Sequence, residues 1–191
     1  ALYVTEDGKH ALIGSLLNAK GDDLTGAVLE EKVSRPQSKV MWENLKGSNW
    51  IADGSDKAEQ IVYVFTDPNC PYCKRFWKDA RPWVDANKVQ LRHVMVGTLG
   101  DSSQKKAAYL LSAKDPKAAL IGNESGEKPA IEAKTIEAKQ RQQLDDNQQL
   151  MATVGASGTP AILYLDSTGM LQMHPGAPQG EQLLELFGPR P

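Results

Sequence analysis

Ile61-Val62-Tyr63-Val64-Phe65-Thr66-Asp67-Pro68-Asn69-Cys70-Pro71-Tyr72-Cys73 is the stretch that decides the fold, because a run of β-branched and aromatic residues leads directly into the only two cysteines of the chain. Apolar at nearly every position, Ile61 to Thr66 reads as a central strand covered on both faces rather than an alternating edge strand. Beyond it Phe76, Trp77, Ala80, Trp83 and Val84 recur at helical intervals, so the spacing predicts an amphipathic helix starting at or just after Cys70. A strand feeding a helix, with C-x-x-C at the junction, points to a redox-active pair.

The chemistry follows from the position of each residue on that helix. Pro71 falls on the first helical position, where its missing N–H costs nothing. Cys70 becomes the cap residue, beside the free N–H groups of the first turn, where the helix dipole favours negative charge. Its thiol is therefore expected to fall from about 8.5 toward the ~3.5–7.5 range of activated thiols. Cys73, one turn further on, is close enough to form a disulfide yet covered by the helix. Attack is assigned to Cys70 and resolution to Cys73. Zinc would need two further thiolate or imidazole ligands, and His10, His93 and His174 are scattered along the chain; no metal and no cofactor is expected. A purely structural bridge at this spacing would close too short a loop to constrain the unfolded chain.

Outside this stretch, 191 residues allow one domain of ordinary size with an appendage. A net charge of −2 gives no argument for nucleic acid or an anionic membrane. No apolar run approaches the ~18 residues of a membrane span. No secretory leader opens the chain, which begins at Ala1 and reads as a processed or trimmed product. Tyr3 to Ile13 predicts a hairpin turning near Asp7-Gly8. Such a hairpin is marginal in water by itself, so it is expected to belong to a larger sheet whose earlier part lies outside this chain.

Leu24, Ala27, Val28 and Leu29 predict a short helix behind Asp22-Asp23, ended by Arg35-Pro36. Ser38 to Lys46 predicts a second, stopped by Gly47, and Trp50-Ile51 reads as a docking contact. Past the cysteines, Pro82 interrupts the helix hydrogen bonding and Asn87 supplies a left-handed stop. Val89 to Val96 predicts a strand parallel to the first through a right-handed crossover, with His93 in the core or on a sheet face. From Ser102 to Val154 the composition turns to Ala, Gln, Lys and Glu, broken at Asp115-Pro116 and across Gly122 to Pro129. This is a helical insertion, and its charges read as a solvated face. Thr159-Pro160 then precedes a strand at Ala161 to Leu165. Asp166 to Gly169 turns into a short strand, Met170 to His174, and Leu183, Leu184 and Phe187 mark a closing helix.

The order is α/β and resembles a thioredoxin-like fold with a helical insertion, preceded by a linker helix and a remnant hairpin. YVTEDGKHALIG, IVYVFTDPNCPYC and the late GTPAI together resemble the periplasmic disulfide isomerases of the DsbC/DsbG family; CPYC with ARPWVDANKVQLR is similar to the DsbG branch. The resemblance implies three units: residues 1–20 as the remnant hairpin of an N-terminal dimerisation domain, 21–57 as a helical linker, and 58–191 as the catalytic domain, with the insertion at about 102–154. It implies a nucleophile at Cys70, a resolving thiol at Cys73 and a cis-proline at Pro160 behind Thr159. Client protein would dock against Thr159, Pro160, Pro71 and Tyr72, with the Thr159 hydroxyl near the sulfur. The implied activity is thiol-disulfide exchange on periplasmic proteins, including reduction of sulfenylated cysteines. The implied partners are those substrates, the membrane reductase DsbD and, for a full-length protein, a second copy. A DsbA-like oxidase and a chaperone-like binding protein for unfolded clients are the alternatives. Many relatives of the fold carry a buried acid where this chain has Val64, so any proton relay is expected to run through water, Thr159 or Cys73.

Overall fold

The computed structural model describes residues 1–191. A small hairpin opens the chain, β1 (Leu2–Val4) against β2 (Ala11–Ile13), closed by the Thr5-Asp7 turn. Helix α1 (Leu24–Leu29) follows, capped by the Asp23 carboxylate on the N–H groups of Thr25 and Gly26. It does not end at Arg35-Pro36. The chain passes through a π-helical turn at Glu30–Ser34 straight into α2 (Arg35–Gly47), with Pro36 in the first turn of α2. Pro36 can supply no N–H to the carbonyl four residues back, and the widened turn lies over that carbonyl.

Trp50-Ile51 is likewise corrected. These residues open strand β3 (Trp50–Asp53), the edge of a five-stranded sheet. The remaining strands are β4 (Gln60–Thr66), β5 (Val89–Met95), β6 (Ala161–Leu165) and β7 (Leu171–Pro175), in spatial order β3-β5-β4-β6-β7. Only β4 and β5 run parallel, joined through α3 (Pro71–Asp85); Asn87, at φ 58°, makes the left-handed stop after that helix. The other pairings are antiparallel.

Strand β4 sits at the centre because both its faces are apolar. Successive side chains of a strand point to opposite faces. Val62 and Val64 accordingly meet Phe76, Ala80, Trp83 and Val84 of α3 and Leu183, Leu186 and Phe187 of α7 (Glu181–Phe187). Tyr63 and Phe65 meet Leu45 of α2 and Met151 of α6 (Ala138–Thr153). The Trp42 ring stands edge-on to Tyr63 with centroids 5.0 Å apart, so α2 is part of the core.

The insertion supplies α4 (Asp101–Ser112), α5 (Pro116–Ser125) and α6. Asp115 caps α5 through its carboxylate, with Pro116 in the first turn, and Gly126 ends it at φ 82°. Ala107, Leu110, Leu120 and Leu144 close a third core against Ile51 and Met95, so the three helices cover the β3–β5 end of the sheet.

Candidate functional site

Strand β4 delivers the chain to a tight loop, Asp67-Pro68-Asn69, from which α3 starts. Asp67 has no exposed surface and holds this loop from four sides. Its carboxylate accepts from the Asn69 N–H at 2.9 Å, the Leu99 N–H at 3.0 Å, the Thr98 hydroxyl at 3.4 Å and the Ser103 hydroxyl at 2.7 Å. Its carbonyl accepts the Cys70 N–H at 3.0 Å. Asn69 in turn donates to Ser103 at 3.0 Å and accepts from Lys106 at 2.7 Å. The start of the insertion thus clamps the loop that carries the cysteines.

Cys70 is the cap of α3 with extended backbone angles, and its sulfur accepts the Cys73 N–H at 3.4 Å. Pro71 occupies the first turn. Both cysteines are free thiols and both are buried, at 3% and 2% exposure, so exposure does not separate them. Electrostatics does. The Cys70 thiol is lowered to about 6, first by the hydrogen bond from the Cys73 side chain, against burial, and then by the Thr159 side chain and the N–H groups of Cys73 and Tyr72. Burial, then the hydrogen bond and charge of Cys70, pushes the Cys73 thiol far above the ordinary thiol range. The arrangement can hold one thiolate, on Cys70, stabilised by a neutral Cys73.

Thr159 and Pro160 reach the sulfur because β6 pairs with β4 in the register Phe65↔Ala161, which sets the residues before Ala161 beside those after Thr66. The Thr159-Pro160 bond is cis. The Cys70 thiol donates to the Thr159 carbonyl at 3.2 Å. A carbonyl can only accept, so this contact holds the protonated thiol while the Thr159 side chain favours the thiolate. The Pro160 carbonyl is already engaged by the Gly176 N–H at 2.8 Å. Directly after the buried Cys70, Pro71 is exposed and Tyr72 is 60% exposed.

Sequence reasoning missed an acid. Glu124, near the end of α5, is only 3% exposed. Its neighbour Asn123 donates through Nδ2 both to Glu124 Oε1 at 3.0 Å and to the Pro68 carbonyl at 3.1 Å. Lys74 Nζ donates to the Asn123 carbonyl at 2.6 Å. Burial raises the Glu124 carboxyl to about 7, with the charges of Cys70 and Asp67 adding to it and Asn123 and Lys74 opposing. Glu124 was not among the groups expected near the thiols, which were water, Thr159 and Cys73. Glu124 falls in the polar end of α5, Asn123-Glu124-Ser125-Gly126, and nothing local marks that turn as buried.

His93 is a core residue. Its Nδ1 shares a hydrogen bond of 2.8 Å with the Thr66 hydroxyl, and burial lowers it to about 4. At 4.0 Å from Asp53 it is neutral near pH 7, and the ion pair there is Arg81 with Asp53. No group of three or more His, Cys, Asp or Glu side chains converges as a metal site would require, and no helix is long and apolar enough to cross a membrane.

Residues 51–188 match the thioredoxin-like domain family. The thiol:disulfide interchange protein DsbG of Pseudomonas aeruginosa is 50% identical over all of this chain and 75% of its own length. DsbG of Escherichia coli K12 is 41% identical over 98% of this chain and 76% of its own. Among solved structures, the catalytic domain of Proteus mirabilis ScsC superposes with a TM-score of 0.63 at 25% identity, over 80% of this chain and 96% of that one.

Proposed function

Because the chain belongs to the DsbC/DsbG family of thiol:disulfide interchange proteins, on its DsbG branch, we propose that Cys70 and Cys73 are the pair that performs its thiol-disulfide exchange. The observation that carries this assignment is the pairing of a Cys70 thiol lowered to about 6 with a buried, protonated Cys73 one helical turn away. The Cys70 thiolate attacks one sulfur of a client disulfide. A Cys70–client bond forms, and the client's other sulfur leaves as a thiolate. Release then follows either of two routes. A client thiol displaces Cys70, which isomerises the client, or Cys73 displaces the client sulfur, which reduces the client and leaves the Cys70–Cys73 disulfide.

Thr159, Pro160, Pro71 and Tyr72 form the docking rim for the client backbone in this reading, and a sulfenylated cysteine is attacked at its sulfur with hydroxide leaving as water in place of a second thiolate. The family relationship supports a periplasmic location with disulfide-containing protein substrates, and re-reduction of the spent pair by the membrane reductase DsbD. Residues 1–20 are proposed as part of a dimerisation domain, 21–57 as the connection to it, and 58–191 as the catalytic domain, with α2 and β3 packed into the catalytic unit. A longer chain carrying that domain whole would form the homodimer.

The pH dependence of the reduction potential tests the assignment. Below the Cys70 pKa two protons accompany two electrons, and above it one does. The potential should therefore fall by ~59 mV per pH unit below pH 6 and by ~30 mV per unit above it. Its value also sorts reductant from DsbA-like oxidant. Cys70→Ser should abolish exchange with a mispaired protein. An unbroken slope across pH 6, or exchange surviving in that variant, overturns the proposal.

A further inference from the structure

The two-thiol scheme leaves a proton without a destination. Cys73 can attack only as a thiolate, yet it is buried and held protonated. Glu124 is the one carboxyl buried against this region that has a free oxygen: Oε1 is taken by Asn123, while Oε2 is buried with no partner. Its mooring brackets the cysteines in the chain, through Asn123 to the Pro68 carbonyl before Cys70 and to Lys74 directly after Cys73. Helix α5 packs on α3 to bring this about.

We propose that Glu124 accepts the proton Cys73 must lose when it resolves a mixed disulfide. The proposal rests on the exchange chemistry assigned to Cys70 and Cys73. The Cys73 thiol gives its proton to the Glu124 carboxylate through one intervening water, because Oε2 makes no direct hydrogen bond to the sulfur, and the Cys73 thiolate attacks the Cys70 sulfur. The Cys70–Cys73 bond forms as the Cys70–client bond breaks. The client sulfur departs with the electron pair and takes a proton from solvent, while Glu124 returns its own to solvent.

Charge sets the timing. In the resting dithiol burial first, and then the charge of the Cys70 thiolate, raises Glu124 to about 7. Once Cys70 is tied into a mixed disulfide that charge is gone, and Glu124 ionises more readily at the stage where a base is needed. The groups facing it are Cys70, Cys73 and Lys74 on α3 and Asp67 on the preceding loop. Lys74, the one cation, keeps the buried carboxylate accessible.

The test uses the reduced chain with 5,5′-dithiobis(2-nitrobenzoate) in stopped flow from pH 5 to 9. The first nitrothiolate released reports attack by Cys70, and the second reports resolution by Cys73. In the wild type the second phase should level off at or below about pH 7. Glu124→Gln should slow it about 100-fold at pH 7, the scale of a lost general base, and make it proportional to hydroxide up to pH 9. Glu124→Asp should recover part of the rate, and the first phase should stay within twofold in both variants. A Glu124→Gln second phase with wild-type rate and pH profile overturns the proposal. So does a wild-type second phase that climbs tenfold per pH unit throughout, which decides the matter even if the variant does not fold. Absence of the first phase in the wild type would instead overturn the assignment of Cys70.

Discussion

The opening hairpin and strand β4 are built from similar residues, yet they end in opposite environments. Leu2, Val4, Leu12 and Ile13 are exposed, Ile13 by 84%, whereas Val62, Tyr63, Val64 and Phe65 have no exposed surface at all. Both segments have their backbone hydrogen bonds within a sheet. What differs is a covering layer. β4 has α3 and α7 over one face and α2 and α6 over the other. The hairpin is moored only at its side, through Tyr3 and Leu16 to the Thr25 hydroxyl and through the Leu24 N–H to the Leu16 carbonyl. Apolar pattern specifies a strand, but stability comes from the layer that removes it from water.

Truncating one large side chain in each region should separate the two most. Phe65→Ala should cost about 3–5 kcal/mol, as fully buried aromatics do, and Ile13→Ala should change stability by less than about 0.5 kcal/mol. Urea unfolding of the oxidised chain measures both. Comparable losses would mean that the hairpin is covered in solution by something absent from this fold.

The covered unit also carries a buried titrating group, His93. His93 is neutral and buried when folded, lowered to about 4, but protonates near 6.5 once unfolded. Between those values the unfolded state binds the extra proton, so stability is lost as pH falls from 6.5 to 4 and the loss is complete below 4. The gap, at 1.36 kcal/mol per unit, gives up to about 3 kcal/mol. His93→Gln should be free of this component, so its stability in the oxidised form should fall less over that interval. Parallel curves for variant and wild type would show that His93 does not titrate differently in the two states.

Much of the covered unit was legible because its signals are local. The run Ile61 to Thr66, the helical spacing after Cys70, the Asp115-Pro116 helix start and the Asn87 stop are each written in a few neighbouring residues. What was not legible depends on residues far apart in sequence. Trp50 to Asp53 is too short to declare itself a strand, and its anchoring comes from Asp53, whose carboxylate takes Arg81 and the Trp77 indole across to α3. Arg92 adds to it by lying over the Trp50 ring, 4.4 Å from its centroid. The run through Pro36 was hidden because a proline tolerated in a first turn looks the same in sequence as one that ends a helix. Glu124 sits in a polar turn, Asn123 to Lys128, that reads as solvated, and only the docking of α5 on α3 buries it. At the site, the residues in contact with the sulfur were readable from the motif. The acid behind them was not, because its burial is tertiary.

The smallest expected effect is also the most direct test of the difference between the two regions. If the hairpin lacks a covering layer, deleting residues 1–20 removes apolar surface that is already in water, and little stability should go with it. The deletion takes away the Tyr3–Thr25 and Leu16–Thr25 hydrogen bonds, the Leu24–Leu16 backbone bond and the Leu17↔Asp23 bridge, all at the start of α1. Helix α1 keeps its Asp23 cap and its continuation into α2, which the core holds through Leu45 and Trp42. Unfolding free energy should therefore change by no more than about 1–2 kcal/mol, the scale of a few partly exposed hydrogen bonds, and the rate of Cys70 attack on a small disulfide should stay within twofold. Light scattering adds a second measure of the same idea. Four exposed apolar side chains on an uncovered hairpin should make the longer chain the more self-associating of the two at high concentration, with the truncated chain monomeric throughout. A truncated chain that is several kcal/mol less stable would mean that the hairpin shares in the fold after all, and that its exposed face is not waiting for a partner.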